Sequence, residues 1–450
     1  MPNEKKSKIK IGFISLGCDK NRLDTEYMIA ALKNDGYAVT NDKDAADIIV
    51  VNTCGFIDCA KTESVDAVLE AAALKKNGLK KLIVTGCFAE RYGGGLLKKI
   101  PEADAVLGVG AYDTIRETVE KILEGERVLN LEKNTYDFKE RVVTTPFHYA
   151  YLRIADGCDN RCSYCAIPYI KGAYRSRTFE SIGEELKKLK ESYDIKELIL
   201  VAQDVTRYGV DIYGEYGLLK LLDLIEGYGF PWVRLLYCYP ELVTDELIRA
   251  VGERRGGLCK YLDIPLQHVN DGVLRSMNRR NDGAYARRLI DRIRNIDGGI
   301  SVRSTFITGY PTETEADFEE LCRFISDYKL DNAGFFTFSK EEGTAAARLK
   351  DLHYRTKRRR RDTLRAIQAD VMAEKNKSRI GGTDLILYEG VDYEKGFFYG
   401  RNQFNAPDID TLVYLESDIP LDVGKFYTAE IIGAVDGIDL KARVTDEVFL

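Results

Sequence analysis

The sequence predicts an α/β protein with three parts: an N-terminal doubly wound parallel sheet, a central partial (β/α)6 barrel and a small C-terminal antiparallel β-barrel. Apolar strand-like segments alternate with amphipathic helical segments as far as Gln368, a pattern typical of parallel sheets covered by helices. From Thr383 onward, short strand-like segments separated by Gly, Asp and Pro turns indicate a small barrel instead. A chain of 450 residues is long enough for several such domains.

The first domain is predicted to span residues 8–123. Its strands are expected at Ile9–Ser15, Ala46–Asn52 and Leu82–Thr85, with helices near Leu23–Lys33 and Ala60–Lys75. In a parallel sheet of this kind, ligands bind beyond the carboxyl ends of the strands. A functional site is therefore expected where these three strands end.

A cysteine follows each of the three strands closely. These residues are Cys18, Cys54 and Cys87, called here the rim cysteines. If the strands are neighbours, the three thiols share one rim of the sheet and can hold an iron–sulfur cluster in which one iron stays open. The alternative is three buried cysteines that pack as small hydrophobic residues. Cys59 lies a turn into the following helix and is interpreted as structural.

A second set of three cysteines lies in a polar loop after a strand expected at Tyr149–Ile154. Cys158, Cys162 and Cys165, called here the loop cysteines, have the spacing C-x3-C-x2-C. Such a loop can bring three thiolates to one corner of a cube and leave one iron open to chelate a small molecule. A structural zinc site or three unrelated core cysteines are the alternatives. Zinc sites prefer pairs of cysteines and a fourth ligand, and no second pair lies nearby in the sequence.

A polar linker, residues 124–147, leads into a central domain predicted at residues 148–380. Six strands are expected there, at Tyr149–Ile154, Glu197–Ala202, Trp232–Leu236, Tyr261–Ile264, Ser301–Ile307 and Ala333–Phe338. With right-handed crossovers, six such βα units curl into a partial barrel. The segments after the strands are polar or rich in glycine, and barrel active sites lie at that end.

The loop cysteines resemble those of the radical S-adenosylmethionine (SAM) enzymes, which implies a (β/α)6 barrel, a 4Fe-4S cluster and SAM. In that family the open iron binds the amino and carboxylate groups of SAM and cleaves it to a 5′-deoxyadenosyl radical. The turn Gly309–Thr314 resembles the family's G-F-P-G-E-T turn, with Thr312 in place of the second glycine. Contacts with SAM are expected at Tyr164, Gly309, Glu313 and Gln267.

Other residues near these motifs have two interpretations. Tyr164 fits a packing role as well as a contact with adenine. Arg175 and Arg177 are expected either to hold a substrate carboxylate bidentately or to face water. His268, at a strand end, is expected to be hydrogen bonded. No catalytic side chain is assigned beyond the cluster ligands, and three cysteines without partner spacing are interpreted as structural: Cys238, Cys259 and Cys322.

Two further stretches, Ser15–Asn21 and Val51–Ile57, resemble the N-terminal domain of the methylthiotransferases. The S-L-G-C-x-K-N form is that of the branch that modifies a ribosomal protein. The resemblance runs from Lys8 to Leu450, and residues 381–450 resemble the TRAM domain of that family. It implies a second 4Fe-4S cluster at the rim cysteines. It also implies methylthiolation of the β-carbon of an aspartate in the twelfth protein of the small ribosomal subunit, with two SAM molecules and a sulfur donor.

The C-terminal segment is acidic. From Thr383 to Leu450 there are 14 Asp plus Glu and 5 Lys plus Arg, a net charge of −9, against −6 for the whole chain. A nucleic-acid module is normally basic because it neutralises phosphates, so this charge favours a basic protein partner. Nucleic acid is not expected as the main partner, and the basic run Arg355–Arg361 is interpreted as a solvated helix face.

Two other functions stay open. The tRNA branch of the family methylthiolates a modified adenosine and predicts a basic C-terminal domain, whereas an iron–sulfur carrier needs no SAM barrel. No run of about 18 apolar residues predicts a membrane span, no secretory signal is expected, and the ten cysteines fit cytosolic thiols or metal ligands. The sequence therefore predicts a cytoplasmic radical SAM methylthiotransferase that needs an electron donor.

Overall fold

The computed structural model describes residues 6–132 and 140–449, which form two compact units. The first unit contains the described residues up to Thr144, together with Ala155–Leu189 and Ser339–Ala347. The second contains Thr145–Ile154, Lys190–Phe338 and the described residues from Arg348 onward. Part of the predicted linker, residues 133–139, lies outside the described residues.

The N-terminal part of the first unit is a parallel sheet of six strands with four α-helices. The strands are β1 Lys10–Ser15, β2 Ala38–Thr40, β3 Ile48–Thr53, β4 Lys81–Gly86, β5 Ala105–Leu107 and β6 Val128–Asn130. The helices are α1 Asp19–Asn34, α2 Asp58–Ala73, α3 Cys87–Lys99 and α4 Ile115–Leu123. The strand order is β2-β1-β3-β4-β5-β6. The sheet thus continues into the segment predicted as a linker, since β6 pairs with β5.

Helices cover both faces of this sheet. Ile48 and Val50 of β3 face a core that includes residues of α1 and α4. Ile49 and Val51, the alternate residues, face a second core that includes residues of α2 and α3. Because successive strand residues point to opposite faces, a run of apolar residues buried on both sides marks an interior strand. The predicted doubly wound sheet is confirmed.

Further along the chain, strands and helices alternate up to a long helix that precedes the C-terminal strands. The strands are β7 Tyr149–Arg153, β8 Ala155–Asp156, β9 Arg175–Ser176, β10 Glu197–Val201, β11 Trp232–Leu235, β12 Tyr261–Asp263, β13 Ser301–Thr308 and β14 Asn332–Thr337. The helices are α5 Ile167–Ile170, α6 Phe179–Ser192, α7 Val210–Tyr213, α8 Leu218–Glu226, α9 Asp245–Gly252, α10 Asp271–Ser276, α11 Gly283–Ile296, α12 Glu315–Tyr328 and α13 Tyr354–Arg379.

Six of these strands form the partial barrel of the second unit. They pair in parallel as two sheets, β7-β10-β11 and β12-β13-β14. Strands β11 and β12 are neighbours, and a single parallel bridge joins Val233 to Leu258 beside them. All six strands therefore follow one another in the predicted order, as expected for a (β/α)6 half-open barrel.

The C-terminal part of the second unit is a closed five-stranded barrel. Its strands are β15 Thr383–Asp392, β16 Phe397–Arg401, β17 Val413–Glu416, β18 Phe426–Val435 and β19 Asp439–Val448, in the order β15-β16-β17-β19-β18. Neighbouring strands are antiparallel except β17 and β19, which are parallel. Apart from that one pair, the predicted antiparallel barrel is confirmed.

A buried charge cluster lies among strands of the second unit. The guanidinium of Arg401 contacts Glu197 at 2.6 Å and Glu389 at 2.7 Å. Arg234 also contacts Glu197, at 2.5 Å, and His148 contacts Glu389 at 3.0 Å. Burial alone would raise the pKa of Glu389, but Arg401 and His148 lower it to about 2. Buried charges of this kind persist only when they are paired.

The basic run at the start of α13 is only partly solvated. Lys357 pairs with Asp351 at 2.8 Å, whereas Arg359 and Arg360 contact Glu315 at 2.7 and 2.9 Å. Arg360 is buried. The predicted solvated face is therefore wrong for Arg360, because its guanidinium pairs with the carboxylates of Glu313 and Glu315. No helix of the described residues combines the length and apolarity that a membrane crossing requires.

Candidate functional site

The three rim cysteines lie at the carboxyl ends of three adjacent strands. Strand β3 pairs with β1 on one side and β4 on the other, and Asn52 is in register with both Ser15 and Thr85. A cysteine follows each of these ends, before α1, after β3 and at the first residue of α3. Cys54 and Cys87 are buried and Cys18 is exposed. The sequence hypothesis required neighbouring strands, and the structure has them.

Asn21, in the first turn of α1, connects the three strand ends. Its side-chain amide donates to the carbonyls of Leu16 (3.1 Å) and Thr53 (3.0 Å). Its Oδ1 accepts a hydrogen bond from the Cys87 thiol at 3.5 Å. Asn52 in turn donates to the Asn21 carbonyl at 2.8 Å. Sequence reasoning did not single out Asn21, although it closes the motif that contains Cys18.

Two glycines allow the loops to approach each other closely. Gly17 and Gly86 have φ angles of +88° and +95°, which only glycine adopts readily. A Cβ on Gly17 would lie 2.8 Å from the Cβ of Cys54, and one on Gly86 would lie 2.3 Å from Oδ1 of Asn52. The glycines therefore hold the rim loops closer than any side chain would permit.

Two of the rim thiols become less acidic because they are buried. Burial raises the pKa of Cys54 to about 11 and also raises the pKa of Cys87, where the Lys171 ammonium partly opposes the shift. Thiolates bind metals and thiols do not. A bound metal provides the positive charge that removes such protons, so these thiols gain a stable charged form only as ligands.

The loop cysteines belong to the same compact unit as the rim cysteines. The Cys158 amide donates to the Gly172 carbonyl at 3.1 Å, and the Cys165 amide donates to the Cys162 carbonyl at 3.0 Å. All three cysteines are half-buried. A cavity of about 170 Å³ is lined by Cys162 and Cys165 together with Tyr169 and Thr344. The loop is thus fixed by its backbone while two of its thiols border open space.

The spacing of the thiols bears on which metal they fit. Among residues 6–132 and 140–449, no three His, Cys, Asp or Glu side chains converge as they would around one ion. A structural zinc ion needs such convergence, with sulfur atoms about 2.3 Å from the metal. In a four-iron cube each thiolate ligates its own iron, so the thiols stand further apart. A cluster at the three thiols of the sheet rim and another at the three thiols of the loop stay predictions.

The predicted SAM residues fall in both units. Tyr164 is half-buried in the first. In the second, the Glu313 carboxylate accepts the amides of Gly309 and Tyr310 and pairs with Arg360 at 3.3 Å. Glu313 therefore closes its own turn. Gln267 has a positive φ and a buried Oε1 that accepts no hydrogen bond from the described part of the chain. Contact of these four residues with SAM stays a prediction.

Arg177 has partners within the protein. It is buried, and its guanidinium contacts the Glu185 carboxylate and the Ser181 side chain. Arg141 contacts the same carboxylate at 2.7 Å. Both guanidiniums hold the pKa of Glu185 below its usual value against the opposing effect of burial. A substrate role for Arg177 would require breaking its ion pair with Glu185. Arg175, on β9, is half-buried and donates to the Lys171 carbonyl at 3.4 Å.

Three of the remaining residues match their sequence interpretation. Cys238 and Cys259 are buried, and burial raises the pKa of both thiols. His268 is buried and its Nδ1 accepts the Asn270 amide at 3.0 Å. Cys59 differs: its thiol is exposed in the first turn of α2, so it is not a core residue.

Three family models match separate parts of the chain. They are the uncharacterized protein family UPF0004 (residues 10–108), the radical SAM superfamily (residues 152–325) and the TRAM domain (residues 380–445). Among solved structures, the cobalamin-dependent S-adenosylmethionine radical enzyme OxsB is similar, with a TM-score of 0.52 and 13% identity. The match covers 81% of this chain and 57% of that one, and it shows the fold alone.

Curated relatives match nearly the whole chain. One, named ribosomal protein uS12 methylthiotransferase RimO, from Thermoanaerobacter sp., is 44% identical over 95% of this chain and 98% of its own length. A protein of the same name from Clostridium tetani is 44% identical over 98% of this chain and 99% of its own. At this identity and coverage, the chain belongs to the ribosomal protein uS12 methylthiotransferase family, whose members are radical SAM enzymes.

Proposed function

We propose that this protein inserts a methylthio group at the β-carbon of an aspartate in ribosomal protein uS12, using two SAM molecules and a sulfur donor. The relatives at 44% identity carry ribosomal protein uS12 in their names, and the aspartate is what the family resemblance implies. The observation that supports the reaction most directly is the presence of both cysteine sets in one compact unit. The β-carbon of an aspartate has no acidic proton, so acid–base chemistry cannot break its C–H bond. A cofactor must therefore carry the C–H cleavage.

Each cysteine set would hold one 4Fe-4S cluster. A cluster with three thiolate ligands supplies electrons and one iron that is open to a further ligand. The residues of this chain fix the two sites. Asn21 holds the rim loops together, and the amide of Cys158 anchors the start of the second loop. The buried surroundings of Cys54 and Cys87 exclude water from their thiolates. The proposed reaction also requires an external one-electron donor that reduces the clusters.

The C-terminal barrel would attract the substrate. Its exposed acidic residues are Glu394, Asp408, Asp418, Asp422, Glu430, Asp436 and Asp446. Ribosomal proteins are strongly basic, and complementary charge accelerates association and selects partners. A tRNA would meet repulsion from the same surface because nucleic-acid affinity depends on neutralising phosphates. The tRNA branch is therefore not favoured.

The experiment that tests this proposal compares two triple variants after anaerobic reconstitution. The protein is supplied with dithionite, SAM and sulfide, and with purified uS12 or tRNA as substrate. Replacing the rim cysteines with alanine should halve the iron content from about eight atoms per chain, preserve 5′-deoxyadenosine formation and abolish the product. Replacing the loop cysteines should abolish both 5′-deoxyadenosine and the product.

Cys59→Ala is the matched control because this exposed thiol lies on the same helix that follows Cys54. It should retain full iron and full activity. Mass spectrometry of the substrate gives the decisive result. A methylthio mass increase on tRNA and none on uS12 would contradict the proposed substrate, and absence of 5′-deoxyadenosine from the wild-type protein would contradict the reaction.

A further inference from the structure

The segment Ser339–Ala347 carries a buried carboxylate toward the helices that follow the rim cysteines. Glu341 is 1% exposed, and its Oε2 accepts Lys61 of α2 at 3.0 Å and Arg91 of α3 at 2.8 Å. Its Oε1 accepts the Ser339 hydroxyl at 2.7 Å. Helix α2 begins four residues after Cys54, and α3 begins at Cys87. Glu341 therefore connects the two helices that follow Cys54 and begin at Cys87.

Arg91 extends this contact to the rim itself. Its Nη1 donates to the carbonyl of Gly55, next to Cys54, at 2.7 Å. Its Nη2 donates to the carbonyl of Glu342 at 2.9 Å. One planar guanidinium thus holds the rim and the segment at a fixed separation, which is the geometry that arginine favours.

The other end of the same segment contacts the loop cysteines. The amide of Ala346 donates to the carbonyl of Ser163, between Cys162 and Cys165, at 2.8 Å. Thr344 and Ala345 line the cavity that these two cysteines border. The hydroxyl of Thr344 also donates to the Glu341 carbonyl at 2.7 Å, so the two ends of the segment are joined internally.

A second buried ion cluster connects the remaining loops. Lys171 is 2% exposed, and its ammonium lies 3.2 Å from Asp24 and 3.7 Å from Asp156. Asp24 belongs to the helix that follows Cys18, and Asp156 precedes Cys158 by two residues. The helices after Cys54 and Cys87 are thus linked to the loop cysteines through the Glu341 cluster. The helix after Cys18 is linked to them through the Lys171 cluster.

We propose that Glu341 is a positioning residue that fixes the distance between the rim cysteines and the loop cysteines. This inference rests on the proposed function, in which sulfur held at one site must reach a carbon activated at the other. A buried ion pair whose partner is removed leaves an uncompensated charge, so Lys61 and Arg91 would draw water or move when Glu341 is neutralised. The side-chain carboxylate of Glu341 contacts Lys61, Arg91 and Ser339, so any effect on the clusters acts through these residues.

The test compares Glu341→Gln with the wild-type protein and with Glu342→Gln, a neighbouring exposed carboxylate. Both variants are reconstituted, reduced and examined by electron paramagnetic resonance for the magnetic interaction between the two clusters. Glu341→Gln should retain full iron and 5′-deoxyadenosine formation but lose the defined interaction. The ratio of methylthio product to 5′-deoxyadenosine should fall by about 100-fold, the effect expected of a misplacement near 1 Å. Glu342→Gln should match the wild type.

Glu341→Asp and the iron-free protein give independent measurements. The aspartate variant should restore part of the magnetic interaction, and hydrogen exchange of Ser339–Ala347 should accelerate in iron-free Glu341→Gln. If Glu341→Gln does not fold, Arg91→Lys is measured in the same way. An unchanged magnetic interaction, or a parallel loss of iron, would overturn this inference and leave the proposed function standing. A wild-type protein with only about four irons would instead overturn the proposed function.

Discussion

Gly17→Ala should prevent binding of the cluster that we propose at the rim cysteines while the protein stays folded. Gly17 has a φ of +88°, and an L-residue in that region costs about 1–2 kcal/mol. Globular domains have about 5–15 kcal/mol of stability. The substitution therefore weakens the fold without unfolding it, and its main effect is local.

The local effect follows from contact distances. The added Cβ would lie 2.8 Å from the Cβ of Cys54 and 3.1 Å from its sulfur. Carbon atoms pack at about 3.5–4.0 Å, so Cys54 and the Gly17 backbone must separate by about 1 Å. Metal–ligand distances hold to within about 0.2 Å. A displacement several times that tolerance is expected to prevent one of the three thiolates from binding.

The assay is iron content after anaerobic reconstitution, measured together with SAM cleavage. Iron should fall from about eight atoms per chain to about four, while 5′-deoxyadenosine formation persists at the loop cysteines. Gly94→Ala is the control, because this residue lies in α3 with no heavy atom within 4 Å of the added Cβ. It should retain full iron. A Gly17→Ala protein that binds about eight irons and yields product would refute this reasoning.

Three other substitutions test separate parts of the structure. Asn21→Ala should lower iron content at the rim, because the Leu16 and Thr53 loops lose their common donor; unchanged iron and rim stability would count against that role. Trp232→Ala should destabilise the second unit by about 3–5 kcal/mol, measured by chemical denaturation followed by circular dichroism, since Trp232 is buried against Phe426. In the folded protein the pKa of Glu389 is lowered from 4.5 to about 2. The ionised carboxylate therefore adds about 3 kcal/mol to the free energy of unfolding above pH 4.5, and this contribution is lost as the pH falls toward 2. Glu389→Gln should remove that pH dependence from the unfolding free energy, monitored by the fluorescence of the single tryptophan, and a wild-type curve that is flat in this range would contradict the prediction.

Long apolar strands were predictable and short or glycine-rich elements were not. The interior strands β1, β3 and β4 have enough buried residues to stand out from their surroundings. Helix α3 was missed because it contains Gly93, Gly94 and Gly95, each of which costs about 1 kcal/mol of helix propensity relative to alanine. Packing of its buried residues against the sheet overrides that preference. Strand β6 is only three residues long and lay in a segment whose polarity indicated a linker.

The cysteine sets were predictable because their signals are local in the sequence. The loop cysteines lie close together, and each rim cysteine follows directly after an apolar strand. The residues that hold them in place were not, because their partners lie far along the chain. Arg91 and Glu341 are 250 residues apart, and Lys171 and Asp24 are 147 apart. No local pattern connects such pairs. Glu313 shows a different limit, since a motif identified the turn but not that the carboxylate is used to close it.

The charge count of the C-terminal segment was informative but overstated its surface charge. Two of its acidic residues are buried: Glu389 beside Arg401, and Asp410 beside Arg303 at 3.1 Å. Burial raises the pKa of Asp410, and the Arg303 guanidinium opposes that shift. Both carboxylates are paired with arginines inside the second unit and are unavailable for docking. The seven exposed acidic residues keep the surface suited to a basic protein, so the argument for the partner holds with a smaller charge.

The loop cysteines follow a barrel strand in sequence, yet their contacts lie with the N-terminal sheet. Ala166, which precedes the short helix α5, and Ile170 at its end are buried in the same core as Met28 and Val119. A substitution in that core should therefore disturb both cysteine sets together, whereas one in the barrel core should spare their relative positions. Because interiors are close-packed and transmit strain, one shared core is a physical means of holding the two cysteine sets at a fixed separation. The proposed transfer between two clusters would require such a fixed separation.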